Sequence, residues 1–269
     1  MFKLNANQLK LMAVIGMITS HMVIAWWAII PTWLAFPMYI AGGLTFPIMA
    51  YFIAEGYKHT SNLKRYILRV LAFGLLALPF HILTITLPLG GGNPILYPFF
   101  NIMFNIVASL LVLMLYDKLK SKVLFWLLFV LIIAPLSLVI LEWYFVGVAM
   151  VLMAHIIKNE TARRVVPPLF AAALFTVIGF FTHAMATPEA AANFAEAGVA
   201  LPLLANYQFS PVQMTFQVGI VLAALLLTRY SGERGKRSKT MKWLFYVAYP
   251  AHFVVLFLGM LIIRATALV

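Results

Sequence analysis

Apolar runs of about 20 residues, the length that crosses a bilayer as a helix, recur along the whole of this chain. The pattern predicts nine helical spans near residues 9–30, 34–56, 64–87, 99–116, 122–140, 143–158, 166–184, 211–229 and 243–264. The connectors between them alternate in character. Glu55–Arg69, Asp117–Lys122, Lys158–Arg164 and Arg229–Lys242 are rich in Lys and Arg, whereas Ile30–Trp33, Pro88–Pro98, Ile140–Glu142 and Met185–Ser210 have neither. With the amino-terminal segment counted in the first set, every one of the 19 Lys and Arg residues except Arg264 falls on one side. Basic short loops mark the cytoplasmic face. The amino terminus is therefore expected inside, the carboxyl terminus outside, and the number of spans odd. The outer segment 185–210 is moderately apolar and is expected to lie on the membrane or form a partial cap. The Gly-rich loop 88–98 reads as a flexible outer connection, and SGERGKRSK as a polar cytoplasmic loop.

Composition agrees with that pattern. Hydrophobic residues make up 64% of 269, charged residues 10%, and the mean hydropathy is +1.01, more apolar material than a soluble domain needs. The expected fold is all-α, a polytopic membrane helical bundle forming a single domain over 1–269. The short alternating segments of a β-barrel are absent. The first apolar stretch is too long for a signal peptide and lacks a small-residue cleavage site, so it reads as a retained first helix. Cysteine is absent, which removes disulfides, thiolate nucleophiles and Cys-ligated metals. A net charge of +12 would suggest nucleic acid in a soluble protein. Here it is the positive-inside bias, reinforced by anionic headgroups of the lipid bilayer, and no nucleic-acid partner is expected. Lys58, Lys64, Arg65 and Arg69 are denser than orientation needs and suit a basic entrance for a phosphorylated ligand.

Ionisable groups inside the bilayer are expensive and mark function by default. His21 lies eleven residues beyond Lys10, roughly 16 Å along a helix, and His252 lies ten beyond Lys242 in the last span. The two imidazoles are thus expected at similar depth. Glu55 and His59 are four apart and share a helix face, a carboxylate–imidazole spacing suited to general-base work. Arg65 and Arg69 repeat that spacing and could clamp phosphate. Asn101 and Asn105 also share a face, as helix–helix glue or substrate contacts. Tyr246, Tyr249 and Pro250 surround His252, and Pro250 frees a backbone carbonyl there. His81 and His183 read as structural or interfacial, and His155 as either. There is no P-loop, GxSxG elbow or HExxH motif, inward carboxylates are too few for a hard metal ion, and no metal is expected. No internal or inverted repeat is evident, which weakens a transporter reading.

Several segments resemble the TraX-type integral membrane acetyltransferases, known for N-acetylating conjugative pilin. They are LKLMAVIGMITSH, TFPIMAYFIAEGYKHTSNLKRYILRVL, NIMFNIVASLLVL, YFVGVAMVLMAH and KWLFYVAYPAHFVVLFL. Lys10, ten residues, then His21 also looks like the basic-X10-His signature of larger integral membrane acyltransferases. The resemblance implies a multi-pass protein of the bacterial inner membrane that transfers an acetyl group from acetyl-CoA to a peptide, pilin or small-molecule acceptor. It makes His21 the general base or acyl carrier, Lys10, Lys58, Lys64, Arg65 and Arg69 guides for coenzyme A phosphates, and His252 a cavity residue. The family often has Asp before the first-helix histidine and Arg before the AFP-like segment, where this chain has Ser20 and Gly43-Leu44-Thr45. Ser20 cannot supply a carboxylate, and Glu55 is the substitute offered by sequence. The competing readings are a proton-coupled transporter with His21, Glu55 and His252 as relay, and a non-catalytic pilus or export assembly factor.

Overall fold

Each predicted span contains helix in the computed structural model, which describes residues 3–87, 100–185, 211–236 and 239–267. The connections 88–98 and 186–210 and the side chain of His183 lie outside the described residues. The helices are α1 (Ala6–Ala25), α2 (Thr32–Gly43), α3 (Thr45–His59) and α4 (Leu63–His81), which runs on through a π-helical turn at Ile82–Thr86. Then come α5 (Ile102–Lys118), α6 (Lys122–Leu128), a second π-helical turn at Phe129–Ile133, and α7 (Ala134–Ile140). The chain closes with α8 (Tyr144–Ile156), α9 (Glu160–Met185), α10 (Pro211–Thr228) and α11 (Lys239–Ala267). Polar residues start the helices where sequence places them. Asn5 and Gln8 form a reciprocal capping box at α1, and Asn62, Asn101 and Ser121 cap α4, α5 and α6. Each accepts an otherwise orphaned first-turn N–H.

Five stretches are long and apolar enough to cross a membrane: Ala6–Ala25, Thr32–His59, Leu63–Thr86, Glu160–Phe180 and Trp243–Thr266. Lys122–Ser137, Tyr144–Ile156 and Met214–Thr228 are shorter apolar helices. Large apolar side chains such as Leu75, Leu76, Leu131, Phe180 and Ile262 project outward, as expected where lipid replaces water around a bundle.

Glycines set the closest helix contacts. A Cβ on Gly219 would lie 2.0 Å from the Ile40 carbonyl oxygen, and one on Gly43 2.1 Å from that of Phe216. The α2 and α10 backbones therefore touch, a contact only small residues allow. Gly16 does the same for α1 against α2, where a Cβ would sit 2.0 Å from the Ala41 oxygen. At the basic end, residues 4–7 are held by the loop after α10: Ala6 N–H donates to the Glu233 carbonyl (2.9 Å) and Asn7 Nδ2 to that of Lys236 (2.9 Å). Towards the other end, Trp26 Nε1 donates to the Leu256 carbonyl at 3.1 Å. The first and last helices are thereby fixed in register, which sets His21 level with His252.

Candidate functional site

His21 and His252 meet. His21 Nδ1 lies 3.0 Å from His252 Nε2, the rings stack 17° from parallel, and both residues are buried. The other nitrogen of His252, Nδ1, is 3.2 Å from the Ala248 carbonyl oxygen. Phe253 packs against both imidazoles and against His81, excluding bulk water from their flanks. On its far edge, His21 Nε2 faces Glu142 Oε1 at 3.8 Å, and His81 Nε2 faces Glu142 Oε2 at the same separation. His81 Nδ1 in turn sits 3.4 Å from Thr86 Oγ1. Tyr249, one turn before His252, is buried and its hydroxyl has no hydrogen-bond partner among the described residues. Unpaired buried donors are costly and call for an explanation.

Glu142, which sequence left in an outer connector, is held by an unusual turn. Trp143 and Tyr144 have φ of 63° and 49°, the left-handed region that costs a non-glycine residue about 1–2 kcal/mol. Three contacts enforce it. Phe100 bridges the turn, accepting from Glu142 N–H at 3.0 Å. Asn105 Nδ2 donates to the carbonyls of Glu142 (2.7 Å) and Tyr144 (3.0 Å). The Trp143 ring is wedged among Phe46, Phe175 and Phe216. Gly147 leaves the space for the Asn105 amide, since a Cβ there would come within 2.7 Å of it. Glu142 Oε2 accepts from Ile102 N–H at 2.8 Å, at the α5 amino terminus, a position that favours negative charge. Burial opposes the ionised form, but the polar approach of His21, the charges of His81 and His21 and the Ile102 N–H outweigh it, so its carboxyl stays below the ordinary value.

Asn101 and Asn105 were expected on one face of a helix. Asn101 instead precedes α5 as its cap, with Nδ2 on the Gly74 carbonyl (3.0 Å); both amides serve the scaffold around Glu142. Tyr246 lies beneath the cluster, stacked with Phe73, and Arg69 lies 5.8 Å from its ring centre. The Arg69 Nε is buried without a hydrogen-bond partner among the described residues. Lys10 Nζ lies over Phe52 and Phe245, 4.8 and 5.9 Å from the ring centres. Lys10 and Arg69 thus flank α11 below the imidazoles, and their donors suit an anion. Lys58, Lys64 and Arg65 are exposed at the same end, with Lys64 beside a groove formed by Leu63, Ile67, Leu68 and Met114.

Glu55 and His59 do approach, at 3.6 Å, but His59 is 77% exposed. The stronger partner of Glu55 is Arg163, at 2.6 Å; Arg163 also reaches Glu160 (3.2 Å) and the Ala154 carbonyl (3.0 Å). That network clasps α3, α8 and α9. The carboxylate at His21 is therefore Glu142 and not Glu55. A second pairing missed by sequence joins Asp117 to His155 Nε2 (3.0 Å) and Tyr57 Oη (2.9 Å) at the basic end. Among the described residues no group of three or more His, Asp or Glu is arranged to hold a metal ion.

The fold and site together define a polytopic helical membrane protein with a buried carboxylate–imidazole–imidazole chain. The TraX protein family model matches residues 5–260, and the chain belongs to that family. It is also 27% identical over 263 residues, 94% of each chain, to a protein of Dichelobacter nodosus named probable fimbrial assembly protein FimC, serogroup H1. No solved structure matches.

Proposed function

We propose that this protein is an acyltransferase of the bacterial inner membrane, crossing it nine times with the amino terminus in the cytoplasm. It moves an acetyl group from acetyl-CoA to an amine or hydroxyl of a peptide, a pilin or a small acceptor. The observation carrying this reading is the Glu142–His21–His252 chain beside the unpaired Tyr249 hydroxyl. In the reaction the acceptor nitrogen or oxygen bonds to the thioester carbonyl carbon and the carbon–sulfur bond breaks. The acceptor loses a proton and the sulfur gains one, so a group that both takes and gives protons is required, and His21 fills that role. The Tyr249 hydroxyl is a ready donor for the negative charge that develops on the carbonyl oxygen. Lys10 and Arg69, assisted by Lys58, Lys64 and Arg65, suit the phosphates of coenzyme A at the basic end. His21→Ala is expected to abolish acetyl transfer from labelled acetyl-CoA while the purified protein still folds and unfolds cooperatively on heating. Undiminished transfer would remove His21 from the chemistry.

A second reading, an assembly factor without chemistry, is favoured by the name of the Dichelobacter nodosus relative. Full pilus or fimbrial assembly by the His21→Ala protein would favour it.

A further inference from the structure

The hydrogen-bond roles around His21 do not close with neutral rings. The Ala248 carbonyl can only accept, so His252 Nδ1 must carry a hydrogen. In a neutral ring the His252 Nε2 is then a lone pair, and His21 Nδ1 must donate to it across 3.0 Å. A neutral His21 would be left with a lone pair on Nε2, aimed at the Glu142 carboxylate oxygen 3.8 Å away. Reversing the roles only moves the clash, since His252 would then present a lone pair to the Ala248 carbonyl. Two acceptors facing each other in a buried site have no water to separate them. One additional proton makes every contact in the chain attractive, and it belongs on His21 Nε2 because Glu142 Oε2 accepts from Ile102 N–H at the α5 amino terminus, which favours the carboxylate.

We infer that the Glu142–His21–His252 chain stores one proton, carried at rest on His21 Nε2 against Glu142, with Glu142 as the positioning residue that fixes this form. The inference rests on the acyltransfer reading and sets the order of its steps. His21 first acts as an acid, giving its Nε2 proton to the departing coenzyme A sulfur as the carbon–sulfur bond breaks. The acceptor proton then fills the vacated Nε2 position, so the site ends each cycle as it began and the product thiol leaves neutral. The turn at Trp143 and Tyr144 gains a purpose here, since its strain is spent on holding one carboxylate within reach of two imidazoles. The ionisable groups facing His21 are Glu142 from the connector before α8, His81 from α4, and His252 and Tyr249 from α11. The acid and bases of α3, Glu55, Lys58 and His59, lie at its far end, and α2 carries no charged residue; its Tyr39 packs with Val23 instead.

The test is nitrogen NMR of the full protein in lipid bilayers with 15N-labelled histidine at pH 8, above the ordinary histidine value of about 6.5. One ring is expected with both nitrogens protonated, and its signals should vanish in His21→Asn. Glu142→Gln should convert that ring to the neutral form protonated at Nδ1. A neutral His21 in the native protein, an imidazolium that instead belongs to His81, or an imidazolium unchanged by Glu142→Gln would each overturn the inference. If Glu142→Gln fails to fold, the native spectrum and the His21→Asn assignment decide alone. A neutral His21 would leave the acyltransfer reading standing, whereas no transfer from labelled acetyl-CoA by the native protein would sink that reading without touching the spectrum.

Discussion

Replacing Asn105 with Ala tests whether the turn bearing Glu142 is held under tension. The amide donates two hydrogen bonds, to the carbonyls of Glu142 and Tyr144. Stranding a buried acceptor costs about 1–3 kcal/mol, so a turn that stays in place loses about 2–6 kcal/mol. Springing it open instead forfeits the Glu142 contacts but releases two left-handed residues, each storing about 1–2 kcal/mol. That release offsets part of the cost of opening, and the chain takes the cheaper route. The expected loss is therefore about 2–4 kcal/mol, below the full stranding penalty, with Glu142 drawn away from His21. Equilibrium unfolding in mixed lipid–detergent micelles, followed by circular dichroism, gives the loss. A double-mutant cycle with Glu142→Gln gives the mechanism, because a sprung turn makes the second substitution nearly free. A loss under about 0.5 kcal/mol, the scale of an ordinary surface substitution, would refute the tension. So would strict additivity with Glu142→Gln.

Two further outcomes follow from the geometry. Burial would raise the Asp117 carboxyl, but the hydrogen bonds from His155 and Tyr57 and the charges of His155 and Lys122 hold it below the ordinary carboxylate range. A depressed carboxyl stabilises the fold fully above its unfolded value and loses that contribution as pH falls through the folded one. Asp117→Asn should therefore flatten the decline in thermal stability below about pH 4, and an unchanged acid limb would count against the pairing. Gly219→Ala must push apart α2 and α10, at about 1–3 kcal/mol or more. Gly232→Ala, at φ +83° with nothing within 4 Å, risks only the backbone cost of about 1–2 kcal/mol; a larger thermal destabilisation at Gly232 would contradict the packing.

The helices were legible because runs such as LKLMAVIGMITSHMVIAWW leave the backbone no other way to satisfy itself in lipid. The shared depth of His21 and His252 could also be read, since each follows a basic residue by nearly the same rise along a helix. Glu142 could not. Its approach to His21 depends on a turn whose left-handed residues, Trp143 and Tyr144, carry no glycine or asparagine signal, and on contacts with Asn105 and Phe100 distant in the chain. Glu55 drew attention for its four-residue spacing from His59, but spacing along one helix cannot reveal Arg163 arriving from another. Asn101 was open to a better reading, because an asparagine just ahead of an apolar run is a helix-start signal.

The pairing of His21 with His252 joins residues 231 apart in sequence, on α1 and α11. During insertion, α1 enters the membrane with an imidazole whose Nδ1 meets its partner only when α11 arrives. A chain cut short before α11 keeps the carboxylate of Glu142 near His21 but lacks the second imidazole. Completion of the fold and completion of the imidazole pair are one event.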